Sequence, residues 1–498
     1  MLNYLLPLIV VLTSLIVGVG IFFVKEGDFW LRTFLNIGGA LIKLFFVLWM
    51  LYGVMAGEVF RFEATLVHGI SFVLQADALA LLFGVLSTGL WLLTTLYAIG
   101  YLEDSPHRSR FFGFFSLCVM SSVGIALAGN LFTFFLFYEL LTLTTYPLVI
   151  HRQTSTSIQA GTTYLLYTVG GGAVLLVATV WLYSLGGAQD FVYGGYLRDF
   201  IPEYGAELML LFYLFLGAFG VKAALIGLHG WLPQAMVAPA PVSALLHAVA
   251  VVKAGAFGVI RLVYDVFGIN SAKELGLLMP LSLIASATIL YGSFIALFQQ
   301  DLKKRLAYST ISQVSYILLG IGLFGPLGTI GGLVHLVHQG MMKITLFFCA
   351  GNFAETYGIK RVDELDGLGY RMPLTSLAFT IGAFGMIGFP PLAGFVSKWY
   401  LGLGALEAGQ GWIIGVLVVS SLLNGAYFLP PVYALWFKPP ARALVPHIAL
   451  PKRAETRWLL LLPPLLTAVM VVIFGLYASH PLSPLSWVEL ITELEYGQ

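Results

Sequence analysis

Residues 222–242 read KAALIGLHGWLPQAMVAPAPV: a lysine at the start of an apolar run, then His229, then three prolines, Pro233, Pro239 and Pro241. Proline removes an amide donor and leaves carbonyls without partners, so a helix running through this stretch must break. If the surroundings are hydrocarbon, the freed groups must face protein or water, and a break beside a charge then marks a cavity or an ion site. Taken alone, the segment also fits a plain proline kink or an interhelical loop. A second stretch weakens that alternative. GFPPLAGFVSKWYL, from Gly388, holds Pro390 and Pro391 and again has a lysine beside the break, Lys398.

The rest of the chain supplies the hydrocarbon. Of 498 residues, 59% are hydrophobic and 10% charged, and the mean hydropathy is +0.92, outside the range of soluble domains. A span needs about 20 predominantly apolar residues. Apolar runs are centred near residues 13, 43, 88, 120, 140, 172, 215, 253, 287, 315, 340, 384, 422 and 468, which predicts an all-α integral membrane protein of about fourteen transmembrane helices. The longest polar stretches, around 186–206, 351–372 and 437–457, are too short for an independent core, so residues 1–498 are expected to form a single membrane domain. The N-terminal MLNYLLPLIV has no basic n-region and reads as a retained span rather than a signal. Cys118 and Cys349 lie in separate apolar runs without CxxC spacing, and neither a P-loop nor a GxGxxG after a strand is present. No cofactor, metal or nucleic-acid partner is therefore expected, and any redox or hydrolytic reaction belongs to another chain.

Basic residues set the expected orientation. Numbering the spans in order, the odd loops hold Lys25, Arg32, Arg108, Arg110, Arg152, Lys303, Lys304, Arg305, Lys360, Arg361, Arg371, Lys438, Arg442, Lys452, Arg453 and Arg457, while the even loops hold Arg61, Arg198, Arg261 and Lys273. The positive-inside rule puts odd loops in the cytoplasm and both termini outside. Five lysines remain, Lys43, Lys222, Lys253, Lys343 and Lys398, all within spans.

A lysine at the centre of a membrane helix costs about 2.5–3.5 kcal/mol on insertion scales, so five of them need partners, water or a purpose. With them go His247, His335 and His338, and one deep carboxylate, Glu139. Snorkelling or paired structural charges is the bland account of the set, and Lys43, which has no motif around it, suits it as well as any other. In His335-Leu-Val-His338-Gln339-Gly-Met-Met-Lys343, His335, Gln339 and Lys343 drift about 40° per step and His338 lies about 60° to the other side. Three titratable groups on one apolar helix point to a wet path.

These residues resemble the antiporter-like proton-translocating subunits shared by respiratory complex I (NADH-quinone oxidoreductase), membrane-bound hydrogenases and Mrp-type cation/proton antiporters. The likeness runs through roughly residues 70–430. It is densest in HGWLPQAMVAPAPVSALLHAVAVVKAGAFGVIR from His229, DLKKRLAYSTISQVSY from Asp301, HLVHQGMMKITLFFCAG from His335 and GFPPLAGFVSK ending at Lys398. The resemblance implies two inverted five-helix repeats, 111–265 (spans 4–8) and 275–436 (spans 9–13), each with a broken helix, and a polar axis along the middle of the membrane. Position by position, Glu139, Lys222, Lys253 and Lys398 match the family's axial glutamate and lysines, His247 a histidine of some members, and His335 and Lys343 relay positions. Departures exist. Pro233-Gln234-Ala235-Met236 stands where many members have Pro-Asp-Ala-His, and Gln339 where some have a second histidine, for which His338 is a neighbouring substitute. The short end after the last span resembles the family's shorter members. Phe219-x-x-Lys222-x-x-Leu225 and Phe395-x-x-Lys398-x-x-Leu401 also suggest a faint internal repeat.

The expected function is proton translocation along the Glu/Lys/His axis, in a multisubunit complex of the prokaryotic cytoplasmic membrane. It would be energised by a partner redox module or by exchange with another cation. Other membrane subunits, including homologous ones, and a peripheral module are the implied partners. Glu139 would hold Lys222 protonated when close and let it release a proton toward Lys253 when apart. Direct sodium carriage fits less well, because hard cations want several oxygen ligands and the interior offers one carboxylate among lysines. Two alternatives stay open: a subunit of an ion-driven inorganic carbon uptake system, and a non-conducting scaffold that anchors a soluble enzyme.

Overall fold

The computed structural model describes residues 2–67, 69–103, 105–186, 189–439 and 455–497; Arg442, Lys452 and Arg453 of the loop count lie outside them. The first seven passes are α1 (Leu2–Phe22), α2 (Phe29–Met55), α3 (Ala78–Tyr101), α4 (Arg108–Leu127), α5 (Leu131–Val149), α6 (Ser155–Gly186) and α7 (Ile201–Ala223). The eighth is α8 (Ala240–Ala248) with α9 (Val251–Arg261), followed by α10 (Leu278–Leu297), α11 (Leu302–Gly322) and α12 (Pro326–Tyr357). The twelfth is α13 (Pro373–Ile387) with α14 (Ala393–Glu407), and α15 (Trp412–Phe437) and α16 (Trp458–Leu476) complete fourteen. A last helix, α17 (Pro484–Tyr496), lies outside the passes.

Among the described residues, twelve helices are long and apolar enough to cross a membrane on their own. The other two passes fall short for identifiable reasons. Lys303, Lys304 and Arg305 dilute the first turn of the 21-residue α11, and the twelfth pass is two 15-residue halves, each about 22 Å long.

Contacts between chain ends support this count of fourteen. Arg110, in the first turn of α4 after loop 3, donates to the His151 carbonyl of loop 5, Leu302 N after loop 9 to Lys360 O of loop 11, and Lys438 of loop 13 pairs with Asp366 of loop 11. At the opposite end Arg61, between α2 and α3, meets Asp190, between α6 and α7, at 2.5 Å, and Tyr496 after the last pass meets Gly325 before α12. Odd loops join odd loops and even join even, as alternating passes require.

Three observations correct the sequence reading. Arg261 is not a loop residue: it is buried in the eighth pass, bound to Asp77 at 2.8 and 3.0 Å and to Asp265 at 3.1 Å. A hairpin, β1 (Phe60–Val67) and β2 (Ile70–Ala76), joins an otherwise helical chain, and the alternation Phe60-Arg61-Phe62-Glu63 is its period-two signature. Finally, the Phe-x-x-Lys-x-x-Leu likeness is not a structural equivalence, because Lys222 precedes its break and Lys398 follows its own.

Both proline-marked breaks are present. α7 stops at Ala224, whose φ of 59° is left-handed, and one freed carbonyl, that of Val221, accepts from Trp231 Nε1 at 2.8 Å. α13 stops at Gly388, φ 95°, a conformation that glycine adopts without strain. A third interruption, at Val249–Ala250 between α8 and α9, has no proline to announce it.

Candidate functional site

Glu139 projects half-buried from α5, and α6 makes room for it with Gly172, where a Cβ would lie 2.1 Å from Glu139 Oε1. That oxygen has no hydrogen-bond partner in the protein. Lys222 occupies the last turn of α7, fully buried. Its ammonium donates to the carbonyl of Tyr138, the residue before Glu139, and lies 3.4 Å from the centroid of the Tyr138 ring, a cation–π geometry. Among the described residues Glu139 forms no ion pair with it, so the two are neighbours rather than a closed pair.

α9 presses its backbone against the end of α7 through Gly255, where a Cβ would meet Ala223 N at 2.3 Å and Phe219 O at 2.6 Å. This sets Lys253 and Lys222 on directly apposed helices. Lys253 in turn donates to Leu336 O of α12 at 2.8 Å, one residue beyond His335. His335 Nε2 meets Gln313 Oε1 of α11 at 3.1 Å and Nδ1 meets Ser397 Oγ of α14 at 2.7 Å. A carbonyl oxygen only accepts, so Nε2 carries a hydrogen. Nδ1 therefore accepts from Ser397 when the ring is neutral and donates to it when the ring is charged.

Ser397 adjoins Lys398, whose ammonium donates to Met386 O at 3.1 Å, Ile387 O at 2.7 Å and Ser421 Oγ at 3.2 Å. It thereby caps the C-terminal carbonyls of α13, the negative end of that half-helix. Tyr316 lies between the two groups, its ring 5.3 Å from the His335 ring and 5.3 Å from Lys398 Nζ.

The remaining sequence candidates are buried but less connected. Lys343 donates to Ser309 Oγ and, at 3.3 Å, to Leu306 O on α11. His247 stacks on Phe347 with centroids 4.5 Å apart, and His338 on Phe474 at 6.1 Å. Both nitrogens of the His247 ring, and both amide atoms of Gln339, lack a protein partner; water is what satisfies such buried atoms. Lys43 stands apart, on α2 beside the Trp91 ring and without a hydrogen bond. Among the described residues no group of His, Cys, Asp and Glu is placed to hold a metal ion.

Sequence reasoning missed Tyr138, Ser309, Gln313, Tyr316 and Ser397. For three of them a signal existed: Ser309, Gln313 and Tyr316 fall at i, i+4 and i+7 on α11, a polar stripe on one face.

Residues 128–424 match the family described as NADH:quinone oxidoreductase/Mrp antiporter, TM. Residues 66–112 match NADH-Ubiquinone oxidoreductase (complex I), chain 5 N-terminus. The chain is 36% identical over 398 residues to NADH-quinone oxidoreductase subunit N of Desulforudis audaxviator, covering 78% of each. It is 33% identical over 438 residues to Na(+)/H(+) antiporter subunit A1 of Staphylococcus haemolyticus, covering 82% of this chain but 53% of that one. A chain in the structure of the Mrp complex from Dietzia sp. superposes with a TM-score of 0.84 at 24% identity, covering 100% of this chain and 98% of that one, which is likeness of fold.

Proposed function

This chain belongs to the NADH:quinone oxidoreductase/Mrp antiporter membrane family, and on that premise we propose that it conducts protons along the row Glu139, Lys222, Lys253, His335 and Lys398. It is an antiporter-like subunit of the kind found in multisubunit membrane complexes. The observation that carries the proton reading is the run of contacts Lys253–Leu336 O, His335–Ser397 and Lys398–Met386/Ile387 O, which ties three titratable groups from three helices into one buried line. The two ends of the row, Glu139 and Lys398, are half-buried while Lys222, Lys253 and His335 are fully buried. Ends open to the flank suit a subunit that meets neighbouring membrane subunits there. His247, His338 and Lys343 serve as side relays through water.

In the same reading, residues 111–265 and 275–436 are inverted repeats. The membrane is the cytoplasmic membrane of a prokaryote, with both termini outside. The driving reaction belongs to a partner subunit.

The test is a double-mutant cycle on proton uptake into vesicles holding the intact complex. Glu139→Gln removes the negative charge that favours the Lys222 ammonium, and Lys222→Ala removes the ammonium itself. Each is expected to cut flux by at least about 100-fold with assembly retained on a gel, and the double variant to cost little more, as residues acting as one unit do. Additive losses would show that Glu139 and Lys222 do not act as a pair, and flux that survives both changes would sink the proposal.

A further inference from the structure

We propose that the buried carboxylates gathered around Arg261 form a second proton-holding station, at the end of the molecule opposite the basic loops, with Glu495 as the group that takes and releases the proton. The proposal rests on the proton-conducting reading above and adds a site outside its row.

Three elements build the station. Asp77 caps the N-terminus of α3, accepting from Ala80 N at 2.7 Å. Arg261 and Asp265 come from the eighth pass, and Glu495 from α17. Arg261 and Asp265 are each 1% exposed and Glu495 2%, so solvent does not offset their charges. One guanidinium faces three carboxylates, and its two terminal nitrogens are already occupied. Asp77 takes Nη1 and Nη2 at 2.8 and 3.0 Å, and Asp265 shares Nη1 at 3.1 Å.

Glu495 is left over. Its Oε2 receives the Gly194 amide at 3.4 Å, while Oε1 has no partner; Arg261 Nε has none either. A buried carboxylate without a counter-ion is costly, and protonation removes the cost. Burial and then the Asp265 carboxylate push the Glu495 carboxyl well above the usual carboxylate range, which favours its protonated form. The free acceptor at Oε1 and the free donor at Arg261 Nε are matching sites for a bridging water. Among the described residues the carboxylates are not placed to share a metal ion, which favours a proton over a cation as the ligand.

A cluster of hydroxyls lies beside this station. Tyr496, next to Glu495, contacts Thr329 Oγ1 at 3.0 Å, and Thr329 contacts Tyr264, next to Asp265, at 2.6 Å. Thr329 is six residues before His335 on α12, about 9 Å along the axis. In the transfer a hydronium on the hydroxyl side breaks one O–H bond to become water, and its proton forms an O–H bond at Glu495 Oε1. The same bond then breaks toward water on the outer side, leaving the carboxylate beside Arg261. No electrons move.

The experiment is infrared difference spectroscopy of the full chain with its co-purifying subunits, titrated from neutral to alkaline pH, alongside proton uptake. Wild type is expected to show the carbonyl stretch of a protonated carboxyl that disappears on the alkaline side. Glu495→Gln should abolish that band and cut flux by at least about tenfold, and Glu495→Asp, which keeps the acid and serves where Gln fails to assemble, should retain both in part. A band that survives Glu495→Gln, or flux that survives its loss, overturns the proposal. Glu139→Gln separates the two ideas. It should stop flux with the band intact, and if it leaves flux unchanged the row itself has failed, whatever Glu495 does.

Discussion

At the scale of the residue, Lys398 joins structure and chemistry most directly. Its ammonium donates to the Met386 and Ile387 carbonyls at the end of α13, while Ser397 beside it reaches His335. Lys398→Ala is expected to abolish proton uptake while the complex still assembles. Lys398→Arg keeps a donor and a charge but holds its proton at any accessible pH, so it should assemble as well as wild type and still not pump. Wild-type uptake by Lys398→Arg vesicles would remove Lys398 from the path. The lysines were legible in the sequence because a charge in an apolar run is expensive wherever its helix faces. Gln313, Tyr316 and Ser397 were not, because such residues carry little penalty in a membrane helix and acquire meaning only when packing decides what they face. Asp77, Arg261 and Glu495 were hidden for another reason: they lie hundreds of residues apart, and hydropathy does not reveal that the eighth pass runs on through Arg261 to Phe267.

At the scale of the element, helix breaks and close helix approaches place the charges. Prolines announced two breaks; the third, between His247 and Lys253, falls in Ala-Val-Ala-Val with nothing to mark it. α11 was legible as a span from its apolar second half, even though its Lys-Lys-Arg start and its stripe of Ser309, Gln313 and Tyr316 lower its apolarity. The approach of α9 to α7 depends on Gly255, whose neighbours are backbone atoms that cannot swing aside as a side chain would. Gly255→Val is therefore expected to push α9 away from α7, at about 1–3 kcal/mol of overpacking, and to separate Lys253 from Lys222. It should lower the melting temperature of the purified protein and reduce proton uptake together. Gly217→Ala, on α7 with nothing within 4 Å of the added Cβ, is the control and should lower neither. Equal melting temperatures for Gly255→Val and wild type would show that the contact does not hold the two helices.

At the scale of the whole molecule, the alternation of passes and the distribution of charge make one argument about orientation. The end that gathers loops 3, 5, 9, 11 and 13 carries Lys303, Lys304, Lys360 and Arg361, and the opposite end carries Asp77, Asp190, Asp199 and Glu495. Moving Arg261 from a loop into the eighth pass sharpens that contrast, because an arginine held by two aspartates gives no net positive charge to its end. On the orientation we propose, the positive-inside rule would put the Lys303 end in the cytoplasm and both termini outside. Cysteine labelling in intact cells reads this without native background, because Cys118 and Cys349 are both buried. Asp199 and Lys304 are exposed, one at each end. Asp199→Cys should react with a membrane-impermeant thiol reagent added outside, and Lys304→Cys only after the cells are permeabilised. The reverse pattern would invert the molecule and turn the Glu495 station toward the cytoplasm, while reaction of both from outside would mean that the passes between loops 6 and 9 have been miscounted.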